Sequence, residues 1–202
     1  MPFQPPSKPS FNKKFLIFDF DETIGTLLMD WTDVHDGIVT VIQKYEPEFT
    51  VPPDQLNDTW VNAALENRSI EKFGRPLSRD LVEFHRQFEQ SRYTGCQPNP
   101  AVIQFIHKAQ DFDIFLWSNN HSMTVKRALT DMNLTTAIDR MVTCDVVVFP
   151  KPNPEGFALL RMPNTSLDDY LMIGDSDNDK GAAAAVGIDY LHVDDFVRLI
   201  KK

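Results

Sequence analysis

The chain has 202 residues, of which 42% are hydrophobic and 24% are charged, so it is long enough for one domain with an insertion or for two small domains. Its formal net charge of −9 argues against broad nucleic-acid binding, which depends on Lys and Arg side chains at the phosphates. No apolar run approaches the roughly 18 residues of a transmembrane helix. Two cysteines, Cys96 and Cys144, are too few for a disulfide framework, which favours a cytoplasmic protein. From the charge and the lack of a long apolar run, we expect that it binds neither nucleic acid nor membrane.

The first segment of the chain is rich in proline. The sequence MPFQPPSKPSFNKK has prolines where a secretory signal needs an apolar core. We therefore predict an extended, flexible arm over residues 1–12.

Short apolar runs alternate with amphipathic segments along most of the remaining chain. Runs without polar alternation predict five buried strands, at residues 14–19, 113–118, 144–149, 170–176 and 188–193. Helical spacing predicts four helices between them, at residues 100–110, 122–132, 154–161 and 179–186. Alternation of this kind is typical of an α/β fold, here a Rossmann-like three-layer core around a parallel sheet.

Residues 28–95 interrupt this alternation. They contain no convincing strand but three helical patterns, at residues 34–45, 56–65 and 77–88, with the stretch Asn67–Pro76 as a loop between the last two. We predict a helical insertion here, so that residues 13–27 and 96–202 form the core.

Polar residues that suit phosphate chemistry follow the predicted strands or lie in the adjoining loops. They are Asp19 and Asp21, the pair Ser118 and Asn119, Lys151, and the acids Asp175 and Asp179. Because parallel sheets bind ligands beyond the carboxyl ends of their strands, we expect these groups to meet at one edge. Asp19 and Asp21 are two residues apart, so in extended backbone their side chains leave the same face.

With these four elements the sequence resembles the haloacid dehalogenase superfamily of phosphohydrolases. The matching motifs are DFDET at Asp19 and Asp21, Ser118-Asn119, Lys151 in KPNPEGF, and GDSDND at Asp175 and Asp179. The helical segment occurs where the subfamily of phosphoglycolate phosphatase and β-phosphoglucomutase carries a helical cap. An acid at the position of Asp21 points to the phosphatase branch, because dehalogenases lack it.

The resemblance implies roles for the acids. Asp19 is the nucleophile that forms an aspartyl-phosphate, and Asp21 is the general acid and base. Mg²⁺ is the implied cofactor, held by the carboxylates of Asp19 and Asp175 and by the backbone carbonyl of Asp21. Asp179 and Thr23 lie behind these ligands, where Asp179 positions a metal-bound water or supports Lys151.

The phosphate-binding residues implied by the resemblance are Ser118, Asn119 and Lys151, with the lysine as the compact positive charge. Within the insertion, Arg68, Lys72 and Arg75 are candidates for substrate recognition, or else they belong to a solvated linker. Glu22 departs from the family, whose commonest form has Gly after the second Asp.

The resulting hypothesis is Mg²⁺-dependent hydrolysis of a small phosphorylated metabolite. A phosphomutase that moves a phosphoryl group between sugar positions is the nearest alternative. An idle phosphate-binding or protein-interaction module is the alternative from another class. The sequence leaves open the substrate and the oligomeric state, a monomer included.

Overall fold

The computed structural model of the chain describes residues 12–51 and 61–201. Nearly all of the predicted proline-rich arm lies outside these ranges, and so does the first part of the second predicted cap helix, residues 56–60. No helix within the two described ranges is both long enough and apolar enough to cross a membrane.

The elements alternate along most of the described chain. In order, the strands are β1 (Phe15–Phe18), β2 (Gly25–Leu28), β3 (Gly95–Pro98), β4 (Asp113–Trp117), β5 (Arg140–Val142), β6 (Tyr170–Gly174) and β7 (Asp189–His192). The helices are α1 (Val34–Gln43), α2 (Val61–Phe73), α3 (Arg75–Arg92), α4 (Pro100–Lys108), α5 (Ser122–Asp131), α6 (Glu155–Leu160), α7 (Asp177–Val186) and α8 (Val193–Ile200).

Five strands form one parallel sheet in the order β5-β4-β1-β6-β7. The sheet is covered on both faces, which is why its central strand, FLIF, is apolar at every position. Leu16 and Phe18 pack into a cluster with α4, α5 and α8, whereas Phe15 and Ile17 pack into a cluster with α6 and α7. The predicted three-layer parallel α/β core is therefore confirmed.

One predicted strand is wrong. Residues 144–149 are not part of the sheet: Cys144–Val146 is a single 3-10 turn, and the edge strand β5 comes just before it. The apolar run in this segment has another cause, because Val148 and Phe149 pack against the helices of the insertion. Their backbone amides donate to the Glu155 carboxylate instead of to a strand.

Helices α1 to α3 form the insertion, and they share an apolar cluster of their own. The loop predicted at Asn67–Pro76 is also wrong, because α2 continues to Phe73 and α3 begins at Arg75. Gly74 alone separates them, with a φ of 70° that favours glycine, and Pro76 fits in the first turn of α3.

A short antiparallel ribbon of β2 and β3 joins the insertion to the core. Leu28 is paired with Gly95 in this ribbon, so the chain leaves and re-enters the core at one place. We propose residues 28–95 as the cap and keep that name for them.

Candidate active site

The site lies at the carboxyl edge of the sheet, where β4, β1 and β6 are neighbours. Asp19 directly follows β1, Ser118 follows β4 and Asp175 follows β6. Backbone pairing continues past the strand ends, since Asp19 N donates to Ile173 O at 2.9 Å. The strand order therefore places Asp19 between the other two residues.

Three carboxylates converge at this edge. Asp19, Asp175 and Asp179 each offer an oxygen, and these oxygens lie within 4.8 Å of one another. Asp179 is fully buried and Asp19 is 8% exposed. A set of carboxylate oxygens suits a hard divalent cation such as Mg²⁺.

Lys151 is the buried cation beside these acids. Its Nζ lies 2.7 Å from Asp19 Oδ1, 2.5 Å from Asp179 Oδ1 and 2.6 Å from the carbonyl oxygen of Trp117. Lys151 is only 2% exposed, and its three acceptors match the three protons of an ammonium group. Each of its N–H bonds therefore has a hydrogen-bond partner. Lys151 balances one of three nearby carboxylates and leaves the cluster with excess negative charge.

The pKa values of the cluster reflect both its burial and this excess charge. Burial, followed by the charge of Asp179, raises the pKa of Asp19 well above its ordinary value, although Lys151 acts in the opposite direction. The same two causes raise the pKa of Asp175 to about 6. Burial would lower the pKa of Lys151, but Asp179 and Asp19 raise it. The arrangement favours a lysine that stays charged and a bound cation.

Asp21 lies beside the cluster without belonging to it. Its Oδ1 accepts a hydrogen bond from the backbone N–H of Leu27, in β2, at 2.7 Å. Burial raises the pKa of Asp21 to about 7. A carboxyl group with this pKa exchanges its proton near neutral pH, as a general acid or base must.

Glu22 adopts a left-handed backbone conformation, with φ 58°. A glycine takes this conformation without steric cost, which explains why Gly is usual after the second acid of such motifs. The Glu22 side chain is exposed, and its charge contributes to the raised pKa of both Asp21 and Asp175.

Ser118 and Asn119 occupy the loop after β4. The Ser118 hydroxyl donates to Asn120 Oδ1 at 2.9 Å and accepts from Asn120 N at 3.1 Å. The Asn119 side chain bonds the backbone of Lys151 twice, accepting from its N–H at 2.8 Å and donating to its carbonyl at 3.0 Å. Asn119 thus joins two segments of the site, and phosphate binding by either residue stays a prediction.

The predicted supporting residues lie next to the acids. The Thr23 hydroxyl donates to Asp175 Oδ1 at 3.4 Å. Asp179 Oδ2 accepts from the backbone and the hydroxyl of Ser176. Gly174 allows this close approach, since a Cβ there would lie 2.4 Å from Asp179 Oδ2. Sequence reasoning did not select Gly174, although a glycine directly before a motif acid was a usable signal.

The three cap cations are exposed on helices α2 and α3, and Lys72 is paired within the cap. Its Nζ lies 2.8 Å from Glu46 Oε1 and 5.1 Å from the ring centre of Phe73. Substrate recognition by Arg68, Lys72 and Arg75 stays a prediction.

A second group of ionisable side chains, missed by the sequence reasoning, lies where the cap meets the core. Both carboxylate oxygens of Glu89 accept from the backbone N–H of His121, at 3.1 Å, at the start of α5. Nearby, His85 Nε2 lies 2.9 Å from Glu66 Oε1. The usable signal was spacing, because His85 lies on the apolar face of α3 and Glu89 follows it by one turn.

The sequence matches the family model described as haloacid dehalogenase-like hydrolase over residues 16–193. The chain belongs to this family. Like its relatives in the haloacid dehalogenase-like hydrolase family, it is therefore a hydrolase. Among curated proteins, no relative of the chain is found.

Solved structures of this family share the fold. A hydrolase of the superfamily from Ehrlichia chaffeensis is 18% identical with a TM-score of 0.54, covering 95% of this chain and 98% of its own. A predicted phosphoglycolate phosphatase from Haemophilus somnus is 19% identical with a TM-score of 0.54, covering 88% of this chain and 84% of its own. A subfamily IA hydrolase from Geobacter sulfurreducens is 16% identical with a TM-score of 0.51, covering 88% of both chains. At these identities the likeness concerns the fold alone.

Proposed function

We propose that the protein is a Mg²⁺-dependent phosphatase that hydrolyses a small phosphorylated metabolite. The observation that carries the proposal is the position of Lys151, whose ammonium group bridges Asp19 and Asp179 while Asp175 lies beside them. A buried lysine next to a surplus of carboxylates matches the needs of phosphoryl transfer, which are a nucleophile and charge compensation. The presence of Asp21 favours a phosphatase over a dehalogenase.

In the proposed reaction, an oxygen of Asp19 attacks phosphorus and the bond to the leaving oxygen breaks. Asp21 donates its proton to that leaving oxygen, for which a pKa of about 7 is suitable. Asp21 then takes a proton from water as the water attacks phosphorus, which releases phosphate and regenerates the Asp19 carboxylate. The chain's own groups perform every proton transfer in this scheme.

Lys151 has two tasks in this scheme. It holds Oδ1 of Asp19 in place, and its charge compensates the phosphoryl oxygens. Ser118, after the neighbouring strand, supplies a hydroxyl for a further phosphoryl oxygen. Mg²⁺, which we propose is held by Asp19, Asp175 and the backbone carbonyl of Asp21, would supply further charge neutralisation when bound.

The test is phosphate release from a general aryl phosphate and a panel of phosphorylated metabolites, with Mg²⁺ or with a chelator. We expect release only with Mg²⁺, and a loss of about 10³-fold or more in Asp19→Asn, because the nucleophile is gone. Asp113→Asn is the matched control, since Asp113 is exposed at the opposite end of the sheet.

A rate that is unchanged in Asp19→Asn would contradict the proposed nucleophile. Faster phosphoryl transfer between sugar positions than to water would instead identify a phosphomutase. Phosphate binding without turnover of any substrate would identify an idle binding module.

A further inference from the structure

The segment of residues 148–151, which carries Lys151, is hydrogen-bonded to the cap. Pro150 O, the carbonyl oxygen just before the lysine, accepts from Asn67 Nδ2 at 3.0 Å. Two residues earlier, Val148 O accepts from the hydroxyl of Ser78 at 2.9 Å. Asn67 belongs to α2 and Ser78 to α3, so two cap helices hold this segment.

One peptide group of this segment bonds to both the cap and the core. The carbonyl of the Pro150–Lys151 peptide accepts from Asn67 of the cap, and its N–H donates to Asn119 Oδ1 at 2.8 Å. Asn119 also donates to Lys151 O at 3.0 Å and is the neighbour of Ser118. The backbone of the lysine is therefore fixed between a cap asparagine and the loop that carries Ser118.

The same division continues through the preceding residues. Val148 and Phe149 pack against the apolar cluster of the cap. Their N–H groups donate to Glu155 Oε2 of the core, at 3.0 and 2.9 Å. The side chains of Val148 and Phe149 and the carbonyls of Val148 and Pro150 thus face the cap, while the amides of Val148 and Phe149 face the core.

We propose that Asn67 and Ser78 are positioning residues for Lys151, so that the cap acts as part of the scaffold of the active site. This inference rests on the proposed function of Lys151. The lysine Nζ bonds three acceptors at 2.5 to 2.7 Å, which leaves little room for a displaced backbone. Misplacement of a reacting group by about 1 Å can cost about 10²-fold in rate.

The first test measures the backbone and needs no enzymatic activity. Amide hydrogen exchange at Lys151 is compared in the wild type, Asn67→Ala and Ser78→Ala. We expect exchange to be about fivefold faster in both variants, the effect of losing one hydrogen bond. Asn62→Ala is the matched control, since Asn62 is also on α2 but its side chain bonds His35 of the cap, at 2.8 Å; exchange at Lys151 in this variant should be like that in the wild type.

The second test measures turnover of an aryl phosphate with Mg²⁺, per folded protein. We expect kcat to fall about tenfold in Asn67→Ala and in Ser78→Ala with KM within about twofold, because the lysine acts in the transition state. Ser78→Thr keeps the hydroxyl and should restore kcat. A loss of stability alone would lower the folded fraction without changing kcat.

The outcomes separate the two proposals. Unchanged exchange at Lys151 in Asn67→Ala and Ser78→Ala would overturn the positioning role, whatever the activity. Faster exchange with unchanged kcat would also overturn it. Faster exchange in a protein that hydrolyses no phosphate ester would keep the contact between cap and lysine segment and overturn the proposed function.

Discussion

Two buried groups of ionisable side chains in the described chain are constructed differently. In the active-site cluster, one lysine faces three aspartates, Asp19, Asp175 and Asp179. At the junction of cap and core, each acid has a partner of its own: Glu66 bonds His85, and Glu89 accepts a backbone N–H. The first group has one cation for three carboxylates, whereas in the second His85 pairs with Glu66 and Glu89 is held by hydrogen bonds from a backbone N–H. The comparison indicates that several buried carboxylates sharing one cation, rather than burial itself, distinguish a candidate reactive site from a structural junction in which each acid has its own hydrogen-bond partner.

Replacing Lys151 should have the largest effect, because it removes the single cation of the unbalanced cluster. Lys151→Met leaves buried carboxylates unpaired, and we expect a loss of about 3 kcal/mol in the free energy of unfolding in chelator, measured by urea denaturation. Turnover should fall about 10²-fold or more. Lys126→Met, an exposed lysine on α5, should change stability by less than about 0.5 kcal/mol. Equal effects in the two variants would remove the distinction between cluster and surface.

Adding Mg²⁺ should stabilise the active-site cluster and leave the junction unchanged. At a concentration 100 times the dissociation constant, bound ligand adds about 2.7 kcal/mol to the free energy of unfolding. We expect this gain in the wild type and in Asp113→Asn, and its loss in Asp175→Asn, measured by denaturation with and without Mg²⁺. A full gain in Asp175→Asn would exclude this aspartate as a ligand.

The stabilisation by Mg²⁺ should depend on pH. The pKa of Asp175 is raised to about 6, so without metal the folded state favours its protonated carboxyl group. The resulting stability is fully present below the unfolded pKa of about 4 and is lost as the pH rises through 6. Metal binds the deprotonated carboxylate, so the gain from Mg²⁺ should increase between pH 5 and pH 7.5. A gain that is constant over this range would contradict the assignment.

The Glu66–His85 pair tests the junction of cap and core. Burial disfavours the charged imidazole, but Glu66, with Glu89 adding to it, raises the pKa of His85 above its ordinary value. The resulting stability is fully present below the unfolded pKa of about 6.5 and is lost as the pH rises through the folded pKa. His85→Gln should therefore cost about 1 kcal/mol more at pH 5.5 than at pH 9 in urea denaturation.

His107→Gln, an exposed histidine on α4, is the control for this pair and should show no such difference. A cost of His85→Gln that increases with pH would contradict the predicted sign of this pH dependence.

Substitution of Glu22 should have the smallest effect, and two variants separate the effect of its charge from that of its backbone conformation. Glu22→Gln and Glu22→Gly remove the same charge, but only glycine relieves the left-handed φ of 58°. We expect Glu22→Gly to be about 0.5 kcal/mol more stable than Glu22→Gln, since the relief exceeds the entropy that glycine adds to the unfolded chain. Both variants should shift the pH midpoint of Mg²⁺ stabilisation downward, because Glu22 raises the pKa of Asp175. Identical stabilities would show that the strain is negligible.

Part of the site was predictable because its cause is local. Asp19, Ser118 and Asp175 each follow a short apolar run, and such runs form parallel strands whose carboxyl ends share one edge. The strand order then places these residues side by side, as predicted. The same reasoning failed for residues 144–149, because an apolar run does not say whether it is buried by a sheet or by the cap.

Partner choice was decided by the tertiary structure. Phosphate binding by Asn119 stays a prediction, and the bonds of its side chain to the backbone of Lys151 are a further contact that the motif does not specify. The spacing predicts that Asp21 and Asp19 leave the same face, but it does not predict that Asp21 Oδ1 accepts from Leu27 N. Several side chains are chemically suitable for each of these contacts, and only the distances between folded segments select one.

The sequence by itself determined the three-layer parallel core, the family and the acids at the strand ends, because apolar periodicity and motif spacing operate over a few residues. The motifs predict that Lys151 meets Asp19 and Asp179, and the tertiary structure supplied the geometry: Nζ lies 2.7 Å from Asp19 Oδ1 and 2.5 Å from Asp179 Oδ1, although the two acids are 132 and 28 residues away in the chain. The tertiary structure alone decided that Asn67, 83 residues before Pro150, holds the lysine segment. Contacts between residues so far apart depend on how layers and cap pack together, which a local pattern does not specify.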